Sequence, residues 1–173
     1  MVLLLSEAQE FTNHDNEALR GLMQSKRNYW HLIGFILVCY AVAAFGSLFA
    51  PGDWYQGLNR APWNPPNLVF PIVWTILYAM IAVAGWLIFA SDSPGLKLLW
   101  ATQLLLNGIW SWLFFGQHWV GVALVDILLL AAVLLILISR SFKQNQKVVG
   151  LLAPYFLWIL LATSLNAYIF IYN

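Results

Sequence analysis

Charge is what this sequence has least of. Only 9% of its 173 residues are Asp, Glu, Lys or Arg, against about 25% in an ordinary soluble domain. Eight Lys and Arg against seven Asp and Glu give a formal net charge of +1, with no basic surface for a phosphate backbone, which excludes nucleic acid as a partner. Cysteine is nearly absent as well. Cys39 stands alone, so no intramolecular disulfide can form, and no Cys or His accompanies it at zinc-ligand spacing. No metal site is therefore expected. Histidine is confined to His14, His31 and His118, placed before the first apolar run, at its start and in a loop, which excludes a bis-histidine haem site inside an apolar core. There is no Gly-rich phosphate loop and no grouped Ser/His/Asp set. The apolar start Met1–Leu5 breaks at Ser6, too early for the core of a signal peptide, and residues 1–28 read as a polar tail.

What is abundant is apolar and aromatic surface: 62% of the residues are hydrophobic, and ten Trp, seven Tyr and eleven Phe make up 16% of the chain. A helix needs about 20 apolar residues to cross a hydrocarbon core of about 30 Å. Five runs reach that length, over about 29–50, 68–90, 96–115, 119–138 and 148–172. Pro51-Gly52-Asp53, Ser91–Gly95, Gly116–His118 and Ser139–Lys147 separate them. Short separators make neighbouring helices antiparallel. Residues 29–173 are thus expected to form an all-α integral membrane protein, a bundle of five transmembrane helices. An odd helix count without internal repeat argues against an inverted-repeat transporter.

Basic residues set the expected orientation. Arg20, Lys26, Arg27, Lys97, Arg140, Lys143 and Lys147 fall on the N-terminal side and only Arg60 on the other. The positive-inside rule then places the N-terminus in the cytoplasm and the C-terminus outside.

The loop between the first two helices carries more than a connector needs. Pro51–Asn67 holds four prolines and two tryptophans, and proline lowers the entropy of the free loop, so it can keep one shape. Trp54 and Trp63 belong either to an interfacial aromatic belt or to a lid over a cavity. In the third helix Gln103, Asn107, Trp110 and Phe114 recur at offsets of one helical face, as a cavity wall or as interhelical glue. Asp126 is the one carboxylate deep in a span, where a charge costs about 2.5–3.5 kcal/mol. It should face the interior, hydrogen-bonded to Gln103, Asn107, Asn166, a tryptophan N–H or a ligand. Pro154, Trp158, Ala162 and Asn166 recur at steps of four in the fifth helix beside Tyr155, and Trp74 and Tyr78 are four apart in the second. Trp30, Trp100 and Trp119 sit near span ends and are expected as interface anchors. Ala43, Gly46, Ser47 and Ala50 form a small-residue face on the first helix, suited to close packing and to a homodimer.

Four motifs then carry a resemblance: Trp54-Tyr55 with Leu58, Pro62-Trp63, Pro65 and Pro66; Phe70 with Val73-Trp74, Leu77-Tyr78 and Met80; Leu106-Asn107 with Trp110-Ser111 and Leu113–Phe115; and Leu151-Leu152, Pro154-Tyr155, Trp158, Ala162 and Leu165-Asn166. In this order, over about residues 30–173, they resemble the tryptophan-rich sensory protein and translocator protein family, the latter also called the peripheral-type benzodiazepine receptor. The resemblance implies a five-helix bundle with a cavity closed by the first loop, often dimeric. It implies a receptor or carrier for porphyrin, haem or bilin in sensing, transport, disposal or a stress response, with no required cofactor. Carried over by motif, Trp74, Asn107, Trp110, Asp126, Trp158 and Ala162 line the cavity and Trp54 and Trp63 belong to the lid. The alternatives are a membrane enzyme that degrades protoporphyrin in light, with Trp74 and Trp158 as catalytic rings, and a structural assembly subunit. The basic residue that animal members carry for sterols after the tyrosine ending helix five is missing, since Ile-Phe-Ile-Tyr-Asn follows Tyr168.

Overall fold

The computed structural model describes residues 29–49 and 51–173; the polar tail 1–28 and Ala50 lie outside the described residues. All regular structure among the described residues is helical. Five long helices, each apolar and long enough to cross a membrane, are α1 (Tyr29–Ser47), α3 (Val69–Phe89), α4 (Pro94–Ser111, prolonged to Gly116), α5 (Val120–Ser141) and α6 (Gln146–Tyr172), with a one-turn helix α2 (Asp53–Gln56) in the first connection. The chain is an integral, multi-pass membrane protein.

The helix ends follow local chemistry. Pro94 occupies the first turn of α4, where its missing N–H costs nothing, so the helix starts two residues before the apolar run. Asn145 caps α6, its Oδ1 accepting from the Lys147 N–H at 3.1 Å. Arg140 lies in the last turn of α5, which continues to Ser141, three residues past the apolar run; a cation suits the negative end of a helix. α6 passes through Pro154 without breaking.

The segment Trp112–Gly116 is a π-helical turn. The Gln117 N–H reaches back to the Trp112 carbonyl at 2.9 Å, and the Trp119 N–H to Leu113 at 3.0 Å. Such wide turns redirect the side chains that follow and occur often at functional sites.

Within the bundle α5 packs along α4 and α6, and α6 also packs on α3. The core is a continuous cluster including Ile81, Ile127, Leu130, Leu134, Leu152 and Ile159. From Phe35 onward α1 joins it through buried Cys39 and through the Tyr40 hydroxyl, which donates to the Thr75 carbonyl at 2.9 Å.

One sequence expectation is corrected and another is narrowed. Trp100 is not an interface anchor: it is only 4% exposed, its Nε1 donates to the Ile81 carbonyl at 3.0 Å, and its ring meets Phe35 and Phe89 edge-on. Gly85 makes the room, since a Cβ there would lie 2.5 Å from the indole. The small-residue face of α1 is used in part within the chain. Gly46 sits against Ser111, Val42 against Gly108, and Ala43 against the core, while the exposed Ser47 hydroxyl donates to the Ala44 carbonyl at 2.7 Å.

Candidate functional site

Between α3, α4, α5 and α6 lies a cavity of about 10 Å³ lined by Trp74, Asn107, Trp110, Ile127, Leu130, Ile159 and Ala162. That volume is about one water molecule's worth. Of the six residues that the resemblance assigns to the cavity, Trp74, Asn107, Trp110 and Ala162 line it, while Asp126 and Trp158 do not. Ile127, Leu130 and Ile159 were not singled out from the sequence; the signal was their helical spacing beside Asp126 and Trp158, masked by the many other aliphatic residues.

Two hydrogen-bonded chains tie the helices together around the cavity. The Tyr78 hydroxyl donates to Asn107 Oδ1 at 2.5 Å, and Asn107 Nδ2 donates to the Tyr155 hydroxyl at 2.7 Å. One amide thus joins α3, α4 and α6. On the other side Trp110 Nε1 donates to Asn166 Oδ1 at 3.1 Å, and Asn166 Nδ2 donates to the Val120 carbonyl at 3.0 Å. Asn166 occupies the first turn of α5 from α6. Both amides are buried, and burial makes their satisfaction energetically important.

The aromatic wall is continuous with this network. Trp74 lies 5.5 Å from Tyr78, 6.3 Å from Tyr155 and 6.4 Å from Trp158, the two tryptophan rings being perpendicular. Phe70 meets Trp158 edge-on at 5.7 Å. Trp110 stacks on Phe114 at 5.1 Å, so the face expected on α4 holds across the π-helical turn.

Several buried polar atoms lack a partner among the described residues. Gln103 is fully buried with both amide atoms unpaired, Asp126 is 7% exposed with Oδ2 unpaired, and Trp158 Nε1 donates to nothing. The hydrogen bond expected for Asp126 is not formed at Oδ2. Unpaired groups of this kind cost about 1–3 kcal/mol each and call for a reason.

Trp54 and Trp63 do not line the cavity; they fasten the first loop to the bundle. Trp54 stacks on His118 at 4.0 Å and meets Phe114 edge-on at 5.9 Å. His118 takes a left-handed backbone at φ 57, which imidazole tolerates better than a branched side chain does. Trp63 Nε1 donates to Ser164 Oγ at 3.1 Å, and its ring meets Tyr168 edge-on. Asn59 is pinned twice: its N–H donates to Asn173 Oδ1 at 2.8 Å, and its carbonyl accepts from Asn173 Nδ2 at 3.2 Å. The Tyr55 hydroxyl donates to Asn64 Oδ1 at 3.3 Å inside the loop. Burial pushes the Tyr55 phenol above its ordinary value, partly opposed by the Arg60 charge. His118, Ser164, Tyr168 and Asn173 thus hold the first loop, a role the sequence reading gave to none of them.

Comparison with known proteins accords with this arrangement. The TspO/MBR family profile matches residues 35–172. The chain is 33% identical to the tryptophan-rich sensory protein of Cereibacter sphaeroides over 139 residues, 79% of this chain and 88% of the relative. It is 38% identical to the tryptophan-rich protein TspO of Chlorobaculum tepidum, covering 75% and 87% of the two chains. It is 32% identical to the human translocator protein, covering 78% and 85%. With its five spanning helices, its tryptophan-bearing first loop and a match across nearly all the described residues, the chain belongs to the TspO/MBR family.

Proposed function

We propose that this protein is a membrane receptor or carrier for porphyrins and related tetrapyrroles, held in the cavity between α3, α4, α5 and α6. The observation that carries this reading is the wall itself: two tryptophans, an amide and small or branched apolar residues converge where four helices meet. A flat aromatic ligand takes stacking surfaces, few polar anchors and an otherwise apolar lining. Gln103, Asp126 and Trp158 lie outside the closed cavity's lining, but each stands within about one helical turn in sequence of a lining residue, Asn107, Ile127 or Ile159, and has an unpaired donor or acceptor, the complement that pyrrole N–H groups and ring nitrogens would use.

The cavity's chemistry fits such a ligand, but its volume of about 10 Å³ does not, since ligand pockets span about 300–1,000 Å³. Binding therefore requires the helices to part. The ligand would replace contacts that Trp74, on the cavity lining, now makes with its neighbours Tyr155 and Trp158. We further propose a homodimer and a cytoplasmic N-terminus.

Titrating protoporphyrin into the full chain in lipid nanodiscs tests the reading. Saturable quenching of tryptophan fluorescence is expected, and Trp74→Phe combined with Trp158→Phe should weaken binding about tenfold or more, because base-like stacking is worth about 1–3 kcal/mol per ring. Unchanged affinity in the double variant would remove the assignment. Mass analysis of the illuminated complex separates carrier from enzyme: intact porphyrin is the carrier's outcome, and a cleaved product that depends on either tryptophan is the enzyme's.

A further inference from the structure

The inner cavity is too small for a ligand, yet the first loop borders a second, larger and open space. An open hollow of about 600 Å³ is lined by Arg60, Asn59, Asn64, Asn67, Pro65 and Pro66 among others. It has room for part of a small molecule and leaves the rest exposed. Its rim is held by the contacts that hold the loop. Asn59 is clamped by Asn173, and Asn64 accepts from the Tyr55 hydroxyl while its Nδ2 donates to the Pro65 carbonyl at 2.9 Å. Prolines fix the backbone on the side facing α3.

Arg60 gives this hollow a sign. It is the only Lys or Arg between α1 and α3, its side chain is exposed, and its guanidinium lies 5.7 Å over the Tyr55 ring. Resting on an aromatic face limits the freedom a long side chain would otherwise lose on binding. A guanidinium so placed presents a planar fork of donors that matches a carboxylate, and the Asn side chains around it supply neutral donors. Elsewhere on the loop the charged group is Asp53, in the first turn of α2.

We propose that this hollow is an outer docking site for an oxyanion, specifically the carboxylate of an amphipathic tetrapyrrole, with Arg60 as the residue that recognises it. The inference rests on the tetrapyrrole reading above and deepens it. A molecule with an apolar ring and acidic side chains meets Arg60 first and passes its ring to the inner cavity when the helices part. Arg60 then confers selectivity for acids over neutral analogues, which the apolar inner wall does not supply. The phosphate of an anionic lipid shares this chemistry and is the competing occupant.

The experiment compares protoporphyrin, a diacid, with its dimethyl ester, using the full chain in nanodiscs of neutral phosphatidylcholine. Wild type is expected to bind the diacid about tenfold tighter than the ester, near the lower end of what one hydrogen bond to a charged group contributes, as suits an exposed side chain. Arg60→Gln should abolish the preference and leave ester affinity unchanged, while Arg60→Lys keeps part of it. Equal binding of diacid and ester by wild type, unaltered in Arg60→Gln, overturns the docking site and leaves the tetrapyrrole reading standing. Failure of wild type to bind either compound overturns the tetrapyrrole reading itself. Equal binding together with loss of co-purified anionic lipid in Arg60→Gln assigns the hollow to a lipid headgroup and overturns the carboxylate proposal.

Discussion

Asn107 on α4 donates to the hydroxyl of Tyr155 on α6 at 2.7 Å, while its other amide atom accepts from Tyr78 on α3. Three helices thus meet at one buried amide on the cavity wall. Tyr155→Phe keeps the ring and removes the acceptor, leaving Asn107 Nδ2 unpaired. The expected loss of stability is about 0.6–1.7 kcal/mol, the range of interhelical hydrogen bonds in membranes. Unfolding in a denaturing detergent, compared with wild type at one lipid-to-detergent ratio, measures it.

Gly85 and Trp100 predict a steric effect. Gly85→Ala would place a Cβ 2.5 Å from an indole pinned by Phe35, Phe89 and the Ile81 carbonyl. Overpacking of this kind costs about 1–3 kcal/mol. The thermal midpoint should fall, and Trp100→Leu introduced with Gly85→Ala should recover part of the loss.

The Asn59–Asn173 pair predicts a local effect with little global cost. Asn173→Ala removes both bonds to Asn59. Amide exchange of residues 58–67 should quicken roughly fivefold, in keeping with about 0.5–1.5 kcal/mol per hydrogen bond, while exchange in α5 stays unchanged. Equal acceleration in both places would mean that Asn173 supports the whole bundle.

Tyr55 predicts a response to alkaline pH. Its hydroxyl must stay protonated to donate to Asn64, and burial holds its folded value above the ordinary one. A raised folded value means that its stabilisation is complete below the unfolded value of about 10 and is lost as pH rises through the folded value. Thermal midpoints between pH 9 and 11 should fall more steeply in wild type than in Tyr55→Phe.

The spans were legible because a bilayer imposes a minimum length on every apolar run, and Trp74, Asn107, Trp110 and Ala162 were legible because they recur at helical spacing and stand in the motifs that carry the resemblance. Relations between helices were harder to read. Trp100 resembles an interface anchor until α3 and α4 are set in register and Gly85 is found beneath it. Gly46 reads as part of a close-packing face, but that Ser111 of α4 lies against it follows only from the fold. The tryptophans of the first loop were visible, but their partners His118, Ser164 and Tyr168 lie at least 64 positions away in sequence. Spacing within one helix cannot supply such pairs, because they depend on loop geometry and on helix rotation.

On the proposed function, the space between α3 and α6 opens to hold a planar tetrapyrrole. A structure of the full chain with protoporphyrin in nanodiscs tests it most directly. Ring density is expected in contact with Trp74 and Trp158, in a cavity expanded from about 10 Å³ to about 300 Å³ or more. Density only on the lipid-facing surface, with the four helices still closed on one another, would contradict it.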